Sequence, residues 1–329
     1  MKLKLLISPL AGGAFFNECV DVAISEFKEV LGARITDECT VQHERIGTMD
    51  FVNVGLGEDS FSALARLSFI QGAFVDNGEG GLIPLTLRPD FPLPKSMVFG
   101  WKYQGKTNEL VTQLALNLAL HHADTGRAPQ TLLDPMAGKG TTLFWALQYG
   151  LNATGIEKDA SALSAVHAQL KKQCKLHHIK HTAAHGSVGQ KNKGSMGKFI
   201  KYDLAKQTFR LVTGDSCDAP ELLQKQRFDI IVCDLPYGVQ FKAGPKRSPL
   251  DTVAACAKNW LACLREGGAM ALVFNNYQPK REELAALFSK LDTVVHPFSA
   301  PHRMSESIVR DILIISRKQE DFNLNRLVR

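Results

Sequence analysis

An α/β fold built on a mostly parallel sheet, with a smaller α+β unit in front of it, is what this sequence predicts, and three observations predict it. From about residue 131 onward, short apolar runs alternate with amphipathic stretches, the pattern of strands joined by crossover helices that cover both faces of a parallel sheet. The 329 residues suit one large α/β domain with an appendage, or two domains of about 150 residues each. Pro89, Pro92 and Pro94 fall within six residues. Proline fixes the backbone and removes amide donors, so this run marks a boundary between a unit at 1–95 and a domain at 96–329.

In the first part, residues 2–8 read as a strand. Met1-Lys2-Leu3-Lys4 and the apolar stretch to Phe16 faintly resemble a signal peptide, but Pro9, Gly12 and Gly13 break that stretch and a strand is the better reading. Residues 17–31 read as a helix, 52–55 as a strand and 60–66 as a short helix. In the second part, residues 108–122 form a helix with Asn108 as N-cap. Residues 131–134 are the first strand of the sheet, followed by a Gly-rich turn and a helix at 141–149. Residues 153–157 are the second strand, with Asp159 or Ser161 capping the next helix. Residues 209–213 are the third. The fourth, 228–233, is a continuous apolar run after Asp229, the mark of a strand buried on both faces. A helix at 251–265 stops at Gly267-Gly268. A strand at 269–274, a helix at 280–290 and strands at 293–297 and 308–316 complete the order. Ligands of such sheets bind beyond the carboxyl ends of the strands, where the strand order reverses.

Hydrophobic residues make up 45% and charged residues 22% of the chain, a composition that folds around a core and excludes disordered and coiled-coil chains. No apolar run approaches the roughly 20 residues that span a bilayer, so no membrane association is expected. Seven cysteines, an odd number with no C-x-x-C pair, argue against a disulfide framework and a zinc site and for a reducing, cytoplasmic setting. Charge is uneven. The formal net charge is +6; residues 1–100 hold 8 Lys and Arg against 13 Asp and Glu, net −5, which leaves +11 for the remainder. Residues 171–206 hold nine lysines and one aspartate, net +8, together with His177, His178, His181 and His185. Such a cluster grips phosphates. A solvated helix end and a mobile Gly/Ser/Lys loop at 186–198 explain the same composition.

Four strand ends carry chemical signals. Asp134-Pro135-Met136-Ala137-Gly138-Lys139-Gly140-Thr141-Thr142 follows the first strand, and its glycines let backbone approach a ligand at a helix N-terminus. The P-loop pattern fails at Leu133 and Gly140, and the dinucleotide fingerprint fails at Leu143. Glu157 ends the second strand, where a carboxylate can hold the two hydroxyls of a ribose or simply start a helix. Asp215 follows the third, placed to accept from an adenine amino group with help from Ser216, or to be an ordinary turn aspartate. Asp234-Leu235-Pro236-Tyr237 follows the fourth. An exocyclic base amine is a poor nucleophile because its lone pair is delocalised into the ring. The Asp234 carboxylate and the Leu235 carbonyl can accept its two N–H bonds and favour charge developing on the nitrogen. Pro236 stiffens the loop, and Tyr237 can stack on a base.

Taken together, residues 101–317 resemble a Rossmann-like class I S-adenosylmethionine-dependent methyltransferase, and are most similar to the RNA guanine-N2 methyltransferases that often carry a THUMP domain. The segment Lys102-Tyr103-Gln104-Gly105-Lys106-Thr107-Asn108-Glu109 and the form Asp234-Leu235-Pro236-Tyr237-Gly238 carry the likeness most specifically. The resemblance implies a seven-stranded sheet whose last strand is antiparallel. It implies that Asp134, Ala137, Gly138, Gly140 and Thr141 line the cofactor S-adenosylmethionine at its methionine end. Glu157 would hold the ribose, Asp215 and Ser216 the adenine, and Thr107 and Asn108 the border of the pocket. Asp234 to Tyr237 would hold the target base. No metal is implied. Lys139 stands where the family usually has a small or polar residue. The first 95 residues are too few for a full THUMP domain with its ferredoxin-like companion, and are expected to correspond to the companion alone. The expected partner is structured RNA, tRNA or rRNA, with Lys171, Lys172, Lys191, Lys193 and Lys198 as added RNA contacts. Adenine-N6 methylation of RNA or DNA, amide methylation of a protein, and RNA binding by an inactive methyltransferase fold are the competing functions. A protein partner for substrate recognition is left open.

Overall fold

The computed structural model describes residues 1–8, 19–35, 41–103, 106–190, 194–236 and 248–318. Of the expected site residues, Tyr237, Lys191 and Lys193 lie outside the described residues.

The first part contains β1 (Lys2–Ile7), α1 (Cys19–Leu31), β2 (Gln42–Ile46), β3 (Met49–Gly55), α2 (Phe61–Leu64), β4 (Ile70–Asp76) and β5 (Leu82–Leu85). They form an antiparallel sheet in the order β2-β3-β1-β4-β5. The first four strands, with helices after β1 and β3, make the split βαβ arrangement of ferredoxin-like folds. Leu3, Leu5 and Ile7 alternate inward from β1, and Val22, Ala23, Phe27 and Leu31 of α1 are buried in the same core. Sequence pattern found β1, α1, β3 and α2 but missed three strands. β2 (QHERI) has no apolar alternation and is held by its ladder to β3, while β4 and β5 are broken by Gly72 and Pro84.

The second part contains α3 (Ser96–Phe99), α4 (Glu109–His122), β6 (Thr131–Asp134), α5 (Thr141–Gln148), β7 (Asn152–Glu157), α6 (Ala160–Leu176), β8 (His181–Gln190), β9 (Gly194–Leu204) and β10 (Gln207–Thr213). It continues with α7 (Ala219–Leu222), β11 (Phe228–Asp234), α8 (Pro249–Cys263), β12 (Leu264–Asn275), α9 (Arg281–Ser289), β13 (Thr293–Val295), β14 (His302–Ser305) and β15 (Ile308–Arg317). The strand order is β13-β15-β12-β11-β6-β7-β10-β9-β8, with β14 paired to β15. Strands β12, β11, β6, β7 and β10 are parallel neighbours. β15 is antiparallel to β12, and β13 antiparallel to β15, so β13 runs with the parallel set. These seven are the expected sheet. The expectation of seven strands in all is corrected to ten by β8, β9 and β14.

Two of those three come from the lysine-rich stretch. In the expected loop at 186–198, residues 186–190 and 194–198 instead belong to β8 and β9, an antiparallel pair that extends the sheet beyond β10. Its cause is legible afterwards: Ile200, Tyr202 and Leu204 alternate inward and are buried, a period of two that the surrounding lysines obscured.

A second correction concerns cysteine. Cys217 and Cys256 form a disulfide. They are 39 residues apart in sequence, and packing of α8 against the turn after β10 brings them together, a juxtaposition that local cysteine spacing does not show.

Candidate active site

The order of strands reverses between β6 and β11, and the carboxyl ends of β6, β7, β10 and β11 carry Asp134, Glu157, Thr213 and Asp234. The Gly-rich turn closes over β7: the Ala137 N–H donates to the Ile156 carbonyl at 2.9 Å, and the Gly140 N–H to the Ala137 carbonyl at 2.7 Å. Gly138 (φ +52°) and Gly140 (φ +84°) adopt the left-handed region that glycine enters without steric cost. At Gly155, a Cβ would lie 2.7 Å from both the Ala137 Cβ and the Leu143 Cδ1, so the turn lies flat on the strand. At Gly138 a Cβ would meet no described atom within 4 Å, so the turn is open on that side.

Glu157 is held by backbone. Its Oε2 accepts from the Gly138 N–H at 2.7 Å and its Oε1 from the Asp159 N–H at 2.8 Å. Asp215 accepts from the Cys217 N–H at 3.0 Å and faces the Lys158 ammonium at 3.4 Å. Asp134 is 2% exposed, and its Oδ1 accepts from the Met136 N–H at 3.0 Å. Burial pushes the Asp134 carboxyl up to about 7, against hydrogen bonds from Met136 and Thr142, with the charges of Asp234 and Glu157 adding to the rise. Three converging acids make the rim a place for a cation.

Asp234 is asymmetric. Its Oδ2 accepts from the Thr107 hydroxyl and pairs with the Arg310 guanidinium at 3.3 Å. Its Oδ1 is buried and takes no hydrogen bond from the described residues. The next residue, Leu235, is 2% exposed and donates its N–H to the Val273 carbonyl at 2.8 Å, so β12 fixes the start of the loop; Pro236 follows, half-buried. Arg310, in β15, was missed in the sequence. Its signal was there: Arg310-Asp311 interrupts a strand that is otherwise apolar, and both residues are buried. A buried charge needs a partner, and for Arg310 one partner is Asp234.

Other expected residues make contacts within the protein. Asn108 spends its side chain on the N-cap of α4, accepting from the Leu110 N–H at 2.8 Å. The Thr141 hydroxyl meets the Tyr103 hydroxyl at 2.8 Å, and the Lys139 ammonium lies 4.7 Å from the Tyr103 ring centroid. Ser216 is buried, with its carbonyl accepting from the Trp260 indole at 3.1 Å and its hydroxyl 3.8 Å from the Cys256 sulfur. The lysines do not gather at one place. The backbone N–H of Lys198 donates to Thr213 at 2.8 Å, which puts this residue on the rim. Helix α6 starts beside Glu157 with Asp159 as its cap and runs away from the rim, so Lys171 and Lys172 lie near its far end.

Residues 101–290 match the model of the UPF0020 family, described as an RMKL-like methyltransferase domain. No curated protein matches the chain by sequence. Among solved structures, the chain is similar to TrmN from Thermus thermophilus, at 15% identity and a TM-score of 0.43, covering 84% of this chain and 59% of that one. It is similar to the 16S rRNA N2 methyltransferase RsmC of T. thermophilus, solved with AdoMet and guanosine, at 18% identity and a TM-score of 0.38, covering 85% and 58%. It is also similar to an rRNA methylase from Streptococcus thermophilus, at 12% identity and a TM-score of 0.39, covering 66% and 100%. The chain thus spans less than two thirds of the first two.

Proposed function

The chain belongs to the UPF0020 family of RMKL-like methyltransferase domains, and we propose that it methylates an exocyclic amine of a base in structured RNA, guanine N2 in tRNA or rRNA. The methyl donor is S-adenosylmethionine. The residues fit it: the donor carries a sulfonium and an ammonium, and the carboxyl groups of Asp134 and Glu157 lie close to one another at the rim. When bound, it supplies an electrophilic methyl group. Gly138 and Gly140 would leave room at its methionine end, Glu157 would take the ribose hydroxyls and Asp215 the adenine amine. Ala137, Thr141 and Ser216 would shape the walls behind these contacts, and Thr107 and Asn108 the border.

The observation that carries the proposal is the divided carboxylate of Asp234. Thr107 and Arg310 fix one oxygen, which leaves the buried Oδ1 to accept an N–H from the target amine. The Leu235 carbonyl accepts the second. An amine held by both hydrogens turns its lone pair away from ring conjugation, and the positive charge that grows on nitrogen is met by a fixed carboxylate. Oδ1 is also the nearest base for the proton that must leave. The Thr107 contact further joins the Lys-x-x-Gly-Lys-Thr-Asn segment to the Asp-Leu-Pro-Tyr loop, the two stretches that most specifically resemble the guanine-N2 enzymes. Pro236 would stiffen that loop and Tyr237 would stack on the extruded base.

Asp234→Ala should lower kcat by about 10²–10³-fold or more, with cofactor affinity within about threefold of the parent. Labelled methyl transfer to RNA and calorimetric titration of the cofactor read the two separately. Loss of cofactor binding alongside activity would refute this role for Asp234. Nucleoside analysis of the product then decides the target atom: label in N6-methyladenosine rather than N2-methylguanosine would keep the Asp234 chemistry and overturn guanine.

A further inference from the structure

We propose that the outer edge of the large sheet, formed by β8, β9 and the end of α6, is a phosphate-binding strip that carries the RNA from the active rim to the opposite rim. This rests on the RNA reading above and deepens it. β8 is the terminal strand, paired only with β9 among the described residues, and residues 181–185 are exposed on both of its faces. β9 is antiparallel to β10, with Phe199 opposite Val212 and Leu204 opposite Gln207. The strip therefore starts at Lys198, beside the carboxyl end of β10, and descends to the amino end of the sheet, a path of about 20 Å over six residues.

At the lower end, Lys171, Lys172, Lys175, Lys180 and Lys206 are all exposed. Lys180, His181 and Lys206 line one open depression together with Asp203. Asp203 is the one acid between residues 160 and 206, and it is held by Lys201 at 2.9 Å. A strip so nearly free of acids, with lysines at both ends and small residues (Thr182, Ala183, Ala184, Gly186) between, lets a polyanion lie close to the sheet edge and release counterions. Charge complementarity favours nucleic acid over protein here: a protein strand adding to the β8 edge would have no need of the lysines on the far end of α6. Within nucleic acids, shape and backbone contact are how structured RNA is commonly held.

The test uses the full chain and an unmodified tRNA transcript. Lys171, Lys172, Lys175, Lys180 and Lys206 are changed together to Gln, exposed positions whose substitution leaves the core intact. The expected result is at least a tenfold weaker affinity for the transcript and a salt slope shallower by about 2–4. Cofactor affinity stays as in the parent. An unchanged slope on the transcript, with wild-type methylation intact, would overturn the strip and leave the RNA reading standing. Absence of RNA binding and RNA methylation by the wild type would overturn both. Tighter binding to duplex DNA of equal length, with the same dependence on the five lysines, would give the strip to DNA and overturn it as stated.

Discussion

The carboxylate of Asp234 and the guanidinium of Arg310 come from strands two places apart in the sheet, β11 and β15, and are only 3.3 Å apart. Arg310 is 2% exposed, so neither charge is well screened and each limits the desolvation cost of the other. Arg310 holds Oδ2, and under the proposed mechanism it thereby aims Oδ1 as a positioning residue. Replacing Arg310 with Met should cost about 2–4 kcal/mol of stability, because the carboxylate is left without its countercharge. Adding Asp234→Asn should restore at least half of that loss, while methyl transfer by the double variant stays at least about 10²-fold below the parent. Urea unfolding of the two singles and the double measures the coupling, and strictly additive losses would mean that the pair contributes nothing. Asp134 differs in kind. Its raised carboxyl reflects burial first and the neighbouring acids second, which is the state a cation entering the rim would relieve.

At the scale of elements, the Gly-rich turn separates two kinds of glycine. Gly155 has no room for a methyl group, so Gly155→Ala must push the turn off β7. Gly138 has open space but a left-handed backbone. Gly138→Ala should therefore cost only about 1–2 kcal/mol in stability, yet reduce cofactor affinity at least tenfold, because its methyl group points where the ligand must approach. Thermal unfolding and cofactor titration distinguish the two effects, and unaltered cofactor affinity would place the ligand elsewhere. The acids at strand ends were legible in the sequence because an apolar run followed by Asp or Glu marks both the strand and its carboxyl end. Residues such as Arg310 were not, because what they do depends on which strands become neighbours: β15 lies two places from β11 although 73 residues of sequence separate the end of one from the start of the other. The β8–β9 pair was hidden for a different reason. Its small and charged residues have loop composition, and only the pairing of β9 with β10 and of β8 with β9 makes them strands.

At the scale of the whole molecule, the two sheets share one core. One contiguous apolar cluster runs from Leu3, Phe27 and Val52 of the first part to Leu114, Leu132 and Leu147 of the second. Helix α4 lies in the middle, buried from Leu110 to Ala119, with α1 on one side and the sheet on the other. Two of its buried polar residues are spent on the joint. Gln113 and Asn117 both donate to the Arg66 carbonyl at 2.9 Å, Asn117 donates to the Glu26 carboxylate at 2.6 Å, and the Ser68 hydroxyl donates to the same carboxylate at 2.7 Å. Burial raises the Glu26 carboxyl from 4.5 to about 7, against these hydrogen bonds. The folded chain therefore keeps this proton up to about pH 7, whereas the unfolded chain gives it up near pH 4.5. Between those values the folded state binds more protons, so the contribution of Glu26 to stability is complete below about pH 4.5 and is lost as pH rises through 7. Glu26→Gln keeps an acceptor for Asn117 and the Ser68 N–H and removes the ionisation. Its melting temperature relative to the parent should rise by a few degrees between pH 5 and pH 8, with Asp134 shifting both proteins alike. Parallel melting curves across that range would show that Glu26 is ionised in the folded state throughout, and that the joint between the two sheets tolerates the charge.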